Sequence, residues 1–343
     1  MGFSIKVLLG MSGGVDSSVC VKLLLDKGYD VTGATLDFLG KENGDAKAAA
    51  DVFGIPHIVI DAKEEFKTEV LDYFSESIAV CETPNACVEC NKKVKFKLLL
   101  DCAARHGFDA VATGHYAKSG FEEKYGRYVL KRVKYKDQSY FLYRLTSQQL
   151  SKIIFPLADL NKEHVRETAR EAGIKVYNKP DSQDLCFFEK GEYDIFLEQL
   201  NSKHGNFIDI DGNVIGIHKG LPFYTVGQRK GLGISGREPL YVKSRNLGDN
   251  TVTLAADSEL YTSHLHVRDV IFTAIPVPEH PLSVSIKIRH SKSEIPGTVH
   301  MLTDNTARVE FLNPVRASTP GQSAVFYDGD VVIGGGIISA DAV

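Results

Sequence analysis

Through the first two hundred positions, short apolar runs alternate with stretches in which apolar residues return every three or four positions. Lys6–Leu9, Val31–Leu36, His57–Ile60 and Ala110–Thr113 read as strands. The periodic stretches read as helices, roughly at Ser17–Lys27, Asp45–Phe53, Glu64–Val80, Asn91–His106 and Asn161–Ala172. Strand-to-helix alternation predicts βαβ units around a mostly parallel sheet, an α/β fold. Asn161 offers a cap to the last of these helices, and Gly173 a stop.

Beyond about residue 203 the period changes from that of helices to two. Ser283–Arg289 and Ala307–Phe311 alternate as half-buried antiparallel strands do, and Asp211-Gly212, Asp304-Asn305 and Asp328-Gly329 supply turns. The expected organisation is an α/β domain at 1–203, a small mixed domain at 204–266 and an antiparallel β-barrel at 267–343. Ile275-Pro276-Val277-Pro278 marks either a loop inside the barrel domain or a boundary near it.

A length of 343 residues agrees with two or three cores. The chain opens almost directly on its first strand, with no leader-like segment and no apolar stretch of membrane length, so the expectation is a cytoplasmic protein with no membrane partner. In a reducing compartment six cysteines point to thiol chemistry or metal binding rather than a disulfide framework. A net charge of −4 gives no global sign of a nucleic-acid partner.

Ser12-Gly13-Gly14-Val15-Asp16-Ser17-Ser18 follows the first strand and opens into the first helix. A glycine-rich, hydroxyl-bearing turn at that junction makes an anion site from backbone N–H groups and a helix N-terminus, a phosphate cradle. The Walker pattern places a Lys after the second Gly. Here Asp16 follows Val15, and the next lysine is Lys22. Asp16 is a candidate to share Mg²⁺ with phosphate oxygens.

Cys90 stands where the Asn91–His106 helix is expected to begin, with Lys92 and Lys93 next to it. A helix dipole and two ammonium groups would lower its thiol pKa from about 8.5, making a nucleophile, although an idle exposed cysteine fits as well. Cys186 has the apolar flank Phe187-Phe188 and on its own reads as structural. Cys20 and Cys102 read as core, and Cys81 stays open. Cys87-x-x-Cys90 with Cys186 is also a thiolate set for zinc or a [4Fe–4S] cluster.

Between Lys118 and Lys136 seven basic residues face two acidic ones, with Tyr125, Tyr128 and Tyr135 interleaved. Such a stripe suits RNA phosphates and bases, or a solvated hairpin. Lys92, Lys93, Lys95 and Lys97 would oppose the dipole of a helix that starts beside them, a cost that an external polyanion would offset.

Together these residues resemble the tRNA-specific 2-thiouridylases, PP-loop ATP pyrophosphatases that replace the C2 oxygen of a wobble uridine with sulfur. The similarity runs nearly end to end, through Gly10–Ser17, Thr83–Asn85, Cys90–Phe96, Ala112–Tyr116, Lys136–Phe141, Thr225–Ile234 and Thr319–Tyr327. The resemblance implies a PP-loop domain, a small central domain and a C-terminal β-barrel. It implies ATP contacts at Gly10, Met11, Ser12, Gly13, Gly14, Val15, Asp16, Ser17, Leu36 and Gly114, with Mg²⁺. Cys90 would be the nucleophile and Cys186 the persulfide carrier. Asn85, Ala86 and Cys87 would face the target base, and Lys136, Asp137, Gln138, Arg289 and His290 would touch tRNA. A persulfide donor protein would be a second partner.

Two departures stand out. The family's Asn-Pro-Asp tripeptide is Asn85-Ala86-Cys87 here, a thiol in place of a carboxylate, and the loop Leu39–Gly44 is short. Two alternatives remain at this point: a cluster-dependent thiolase using Cys87, Cys90 and Cys186, and a tRNA-binding module without catalysis.

Overall fold

The computed structural model describes residues 4–40, 44–178, 185–189, 191–200, 202–234, 238–291 and 293–340. Its first half supplies strands β1 (Lys6–Gly10), β2 (Asp30–Asp37), β3 (His57–Asp61) and β4 (Ala110–Thr113), then the hairpin β5 (Lys118–Glu122) and β6 (Arg127–Lys131), then the short β7 (Ile153–Ile154). β1–β4 and β7 form a parallel sheet in the order β3-β2-β1-β4-β7, as the alternation predicts. Val7, Leu8 and Leu9 of the central strand are wholly buried, because helices cover both faces of such a sheet.

The helices are α1 (Val15–Asp26), α2 (Gly44–Val52), α3 (63–79), α4 (86–106), α5 (Lys162–Glu171) and α6 (Glu192–Gln199). α5 is capped as expected, with Asn161 Oδ1 accepting from the His164 N–H at 2.8 Å. α1 begins two residues earlier than expected, which brings Asp16 and Ser17 into its first turn. α3 and α4 each carry a wide π-helical segment, at Lys67–Asp72 and Cys90–Lys95. Such segments are rare and recur at functional sites.

The second half supplies β8 (Gly205–Ile208), β9 (Val214–His218), β10 (Tyr241–Asn246) and β11 (Thr251–Ala255), a small mixed sheet in the order β10-β11-β8-β9. Then come β12 (Tyr261–Phe272), β13 (Leu282–Lys287), β14 (Ile295–Thr303), β15 (Thr306–Arg316), β16 (Ser323–Asp328) and β17 (Val331–Ile338). These six are antiparallel in the order β12-β15-β14-β13-β16-β17, and pairing of β12 with β17 closes the barrel and removes its edges. The Ile275–Pro278 stretch is a loop within the barrel, between β12 and β13. β12 begins at Tyr261, so one continuous strand crosses the 266/267 division.

The basic hairpin β5–β6 leaves the parallel sheet and extends the barrel sheet through the pairing of Lys131 with Val331 of β17. Its charges are therefore met from within the chain. Lys124 pairs with Asp328 at 2.5 Å and Lys118 with Asp159 at 3.6 Å, while Lys131 pairs with Glu122 and Arg132 with Glu294. Among the described residues no helix is long and apolar enough to cross a membrane.

Candidate active site

The cradle lies beyond the carboxyl end of β1, where open parallel sheets receive ligands. Gly13 turns the chain with φ +74°, the left-handed region that favours glycine. The Ser12 N–H donates to Ser17 Oγ at 3.2 Å, and Ser17 Oγ donates to the Gly14 carbonyl at 3.1 Å. Met11 is fixed to β2, its N–H donating to the Ala34 carbonyl and its own carbonyl accepting from Thr35 Oγ1. A Cβ on Gly14 would meet only Ser12 Oγ, at 3.5 Å, so the space before the α1 N-terminus is open. Gly114 closes the other side: a Cβ there would lie 3.0 Å from the Ser17 nitrogen and 3.2 Å from the Asp16 carbonyl carbon.

Gly10, Met11, Ser12–Ser17 and Gly114 thus gather at the junction of β1 and α1. Leu36, at the end of β2, packs both on the core that contains Leu8 and Leu99 and on the core that contains Cys90. For Mg²⁺, the fit is one carboxylate, Asp16, in the first turn of α1 behind the Gly13-Gly14 turn. That donor set suits a cation that keeps most of its waters and shares phosphate oxygens.

Asp16 has close partners that sequence spacing does not reveal. Its Oδ1 accepts from Lys162 Nζ at 2.7 Å and from the Tyr116 hydroxyl at 2.8 Å, and its Oδ2 lies 3.7 Å from Lys136 Nζ. Lys22, the first lysine after the cradle, pairs instead with Asp26 one turn along α1 at 2.9 Å. Gln138 and Tyr116 clasp through two hydrogen bonds of 2.8 and 2.9 Å, which holds Lys136–Gln138 against the cradle.

The thiols stand on α4 and on the segment before α6. Cys90 is only 7% exposed, whereas Cys87 and Cys186 are exposed, and all six cysteines are free thiols. Leu185, Phe187 and Phe188 pack on the same core as Cys90. Phe187 meets Phe66 edge-on at 5.7 Å and Phe74 at 5.5 Å, and Phe188 lies 5.2 Å from Phe196. Apolar neighbours of Cys186 therefore anchor its segment beside Cys90 rather than bury the thiol. Cys87, Cys90 and Cys186 are near enough that a thiolate on either of the others would disfavour ionisation of Cys90. Residues 181–184, just before Cys186, lie outside the described residues.

The expected activation of Cys90 by a helix start does not hold. α4 begins at Ala86, so Cys90 sits a turn inside the helix, where the orphan N–H groups of the terminus are out of reach. Burial first, then the neighbouring thiols, push its pKa up to about 11, against the pull of the Lys95 ammonium and backbone N–H. The lysines are correspondingly mid-helix. Lys93 pairs with Glu69 at 2.9 Å and Lys97 with Asp101 at 3.5 Å, so the argument from an opposed dipole lapses.

Lys95 links thiols to cradle. Its charge acts on Cys87, Cys90 and His115. His115 follows Gly114, shares a 2.9 Å hydrogen bond with Thr113 Oγ1, and packs on Phe96 and Phe155. Burial, with help from Lys95, holds its imidazole well below the usual value, so it is neutral at pH 7. Just before Cys90, Glu89 is buried and bridged to Arg144 at 2.7 Å and to Lys93 at 3.4 Å, which fixes the rotation of α4.

The segment leading to Asn85-Ala86-Cys87 is tied to all three domains. The Thr83 N–H donates to the Pro320 carbonyl at 2.8 Å, and its carbonyl accepts from Gln322 Nε2 at 2.9 Å. Arg245 of β10 donates to the Cys81 carbonyl, and Arg268 of β12 forks onto Glu82 at 2.6 and 2.7 Å. Arg289 is turned inward, donating to the Val226 and Ala317 carbonyls at 3.1 and 2.8 Å and to Thr319 Oγ1. His290 is exposed, stacks on Phe141 at 4.5 Å and lies 3.1 Å from the Asp137 carbonyl. Cys20 and Cys102 are core residues.

Among the described residues no group of three His, Cys, Asp or Glu side chains is placed to hold a metal ion. Cys87, Cys90 and Cys186 are neighbours without being a ligand set, so the donor geometry does not fit an iron–sulfur cluster and that alternative is not favoured.

Residues 5–190 match the tRNA methyl transferase HUP domain, 194–256 the tRNA methyl transferase PRC-barrel domain and 262–338 the aminomethyltransferase beta-barrel domain. The chain is 44% identical to the tRNA-specific 2-thiouridylase MnmA of Clostridioides difficile (strain 630), over 97% of this chain and 98% of that protein. Proteins of the same description from Acetivibrio thermocellus, 43% identical over 97% and 99%, and Treponema denticola, 44% identical over 98% of each chain, are similar throughout. With full-length similarity of this order, and with the Lys95 charge acting both on the thiols and on His115 next to the cradle, the chain belongs to the tRNA-specific 2-thiouridylase family.

Proposed function

We propose that this protein catalyses ATP-dependent 2-thiolation of the wobble uridine, position 34, of tRNA in the cytoplasm, with sulfur supplied by a persulfide donor protein. One observation supports the reading: the Lys95 charge acts both on Cys87 and Cys90 and on His115, which follows Gly114 of the phosphate cradle, so thiols and cradle flank one ammonium. A tRNA-binding module without catalysis would require neither.

The cradle N–H groups bind the ATP phosphates, and Asp16 is the residue that would hold Mg²⁺, whose charge would help neutralise them. The uridine O2 attacks the α-phosphorus, the α–β bond breaks with its electron pair on the departing pyrophosphate, and N3 loses its proton. AMP thereby turns O2 into a leaving group. The outer sulfur of the Cys186 persulfide then attacks C2 and displaces AMP. Cys90, as thiolate, attacks the Cys186 sulfur, and the S–S electron pair passes to the sulfur on C2; N3 takes back a proton, which gives the thiocarbonyl and leaves a Cys90–Cys186 disulfide. In a second route Cys90 attacks the persulfide first and hydrosulfide reaches C2, with the same disulfide formed. Two electrons from an external thiol reset the pair. The uridine must leave its stack, at a cost of about a few kcal/mol that is smallest in an unpaired loop.

Lys136, which lies beside Asp16, the adjoining Asp137 and Gln138, and His290 next to the Asp137 carbonyl are the proposed tRNA contacts, with Asn85–Cys87 at the base. Arg289 enters as a support for the 226 and 317 loops beneath them.

The test is single-turnover assay of Cys186→Ser. ATP-dependent adenylation of tRNA, read by pyrophosphate release, should persist while thiolation from a persulfide donor disappears. Full thiolation by this variant would refute the carrier role, and absence of pyrophosphate release from the unaltered protein would refute the adenylation step.

A further inference from the structure

Of the lysines in the middle of α4, Lys93 pairs with Glu69 and Glu89, Lys97 pairs with Asp101, and Lys92 lies in the field of Glu89 and Asp269. Lys95 is half-buried, and among the described residues no carboxylate pairs with its ammonium. Register sets its place. The wide segment Cys90–Lys95 brings residues five apart onto one face, Cys87 lies three before Cys90, and Leu99 lies four after Lys95. Leu99 abuts the end of β1, where a Cβ on Gly10 would meet its Cδ1 at 3.0 Å, and Phe96 packs on His115 at 5.7 Å. Lys95 thus stands between the thiols and the cradle.

The order of bonds says what must occupy that interval. In the proposed reaction sulfur reaches C2, C2 is bonded to O2, O2 to the α-phosphorus, and the α-phosphorus to the pyrophosphate that the cradle holds. From thiols to cradle, the bond between O2 and phosphorus falls at Lys95. Departing AMP carries more negative charge than the phosphate of the adenylated base, so a cation there assists both steps. We propose that Lys95 is a catalytic residue: its ammonium binds the non-bridging oxygens of the α-phosphate, stabilising first the attack of O2 and then the departure of AMP, and it gives up no proton in either step. This inference rests on the proposed adenylation. The plain alternative is that Lys95 serves the Cys90 thiolate alone.

Binding of adenosine, AMP and Mg-pyrophosphate to the full-length protein separates the two, because adenosine and AMP differ only in the α-phosphate. An ammonium–phosphate contact corresponds to about a ten- to hundredfold change in affinity. Lys95→Met should lose that much affinity for AMP and keep adenosine and pyrophosphate within about twofold, and Lys95→Arg should restore most of the loss. In the Cys186→Ser background, where no sulfur is carried, Lys95→Met should slow pyrophosphate release about tenfold or more. Unchanged AMP affinity, equal loss of AMP and adenosine, or undiminished pyrophosphate release would overturn the assignment. Should Lys95→Met fail to fold, the unaltered protein answers by lysine acylation and mass spectrometry: AMP should shield Lys95 and adenosine should not. Unchanged acylation of Lys95 under saturating AMP would overturn the proposal. Failure of the unaltered protein to bind either adenosine or AMP would instead overturn the nucleotide reading on which it rests.

Discussion

Cys90 in the resting protein should be a poor nucleophile. Its thiol is pushed up to about 11 by burial and by the neighbouring thiols. At pH 7 a thiol of that pKa is ionised to about one part in 10⁴, against about three parts in 100 for a free thiol of pKa about 8.5. Thiolate content alone therefore predicts alkylation two to three orders of magnitude slower than at an ordinary exposed cysteine. Steric burial, with 7% of the residue exposed, slows it further. Iodoacetamide labelling with peptide mass spectrometry should find Cys186 modified first, and the Cys90 rate should climb tenfold per pH unit up to about pH 10. Lys95→Met removes an ammonium that favours the thiolate and should lower the Cys90 rate at every pH below that. Labelling of Cys90 at pH 7 as fast as Cys186, or insensitivity of its rate to pH, would refute the reasoning. The consequence for turnover is that Cys90 becomes competent only once tRNA and persulfide have changed its surroundings.

Gly114→Val should abolish ATP binding by forcing the 113–116 turn off α1, since even a Cβ would sit 3.0 Å from the Ser17 nitrogen; calorimetry would show it, and unchanged affinity would dismiss the close-approach argument. Glu89→Gln leaves Arg144 buried with no carboxylate partner and should cost about 3–5 kcal/mol in urea unfolding; a loss under about 1 kcal/mol would mean that water reaches the pair. Phe187→Ala removes two edge-on ring contacts worth about 0.5–1.5 kcal/mol each beyond their area. Sulfur transfer in a single turnover should slow about tenfold or more while pyrophosphate release holds, and equal rates would detach the Phe187 anchor from catalysis.

Much of the architecture is legible in the chain because it follows from period and punctuation. β1, the Ser12–Ser18 turn and α1 are contiguous, and a strand, a glycine with positive φ and a helix start need no distant partner to be read. Closure of the barrel is less legible, because which strands meet depends on pairings such as Val267 with Ile338, seventy residues apart. The site is legible in its residue types and illegible in its environments. Cys90 looks like a helix-start thiol when the helix is begun at Asn91, but Asn85 is a cap-type residue too, and the fold starts the helix there and carries it past Cys90 through a wide turn. Arg289 looks like a free cation until the 226 and 317 loops fold onto it. Lys162 lies 146 residues from Asp16, and no local signal joins them.

The ties at Thr83 reach beyond local order. Both backbone polar groups of this residue are satisfied by the Pro320–Gln322 turn, so the last strands of the polypeptide complete the wall that precedes Cys87. Residues through Gln322 must therefore have left the ribosome before that wall can form. A nascent chain halted short of residue 320 would carry its cradle and all six cysteines, yet leave two main-chain groups at Thr83 open to solvent. Synthesis itself thus delays the assembly of sulfur chemistry until the barrel turn at Pro320–Gln322 has emerged.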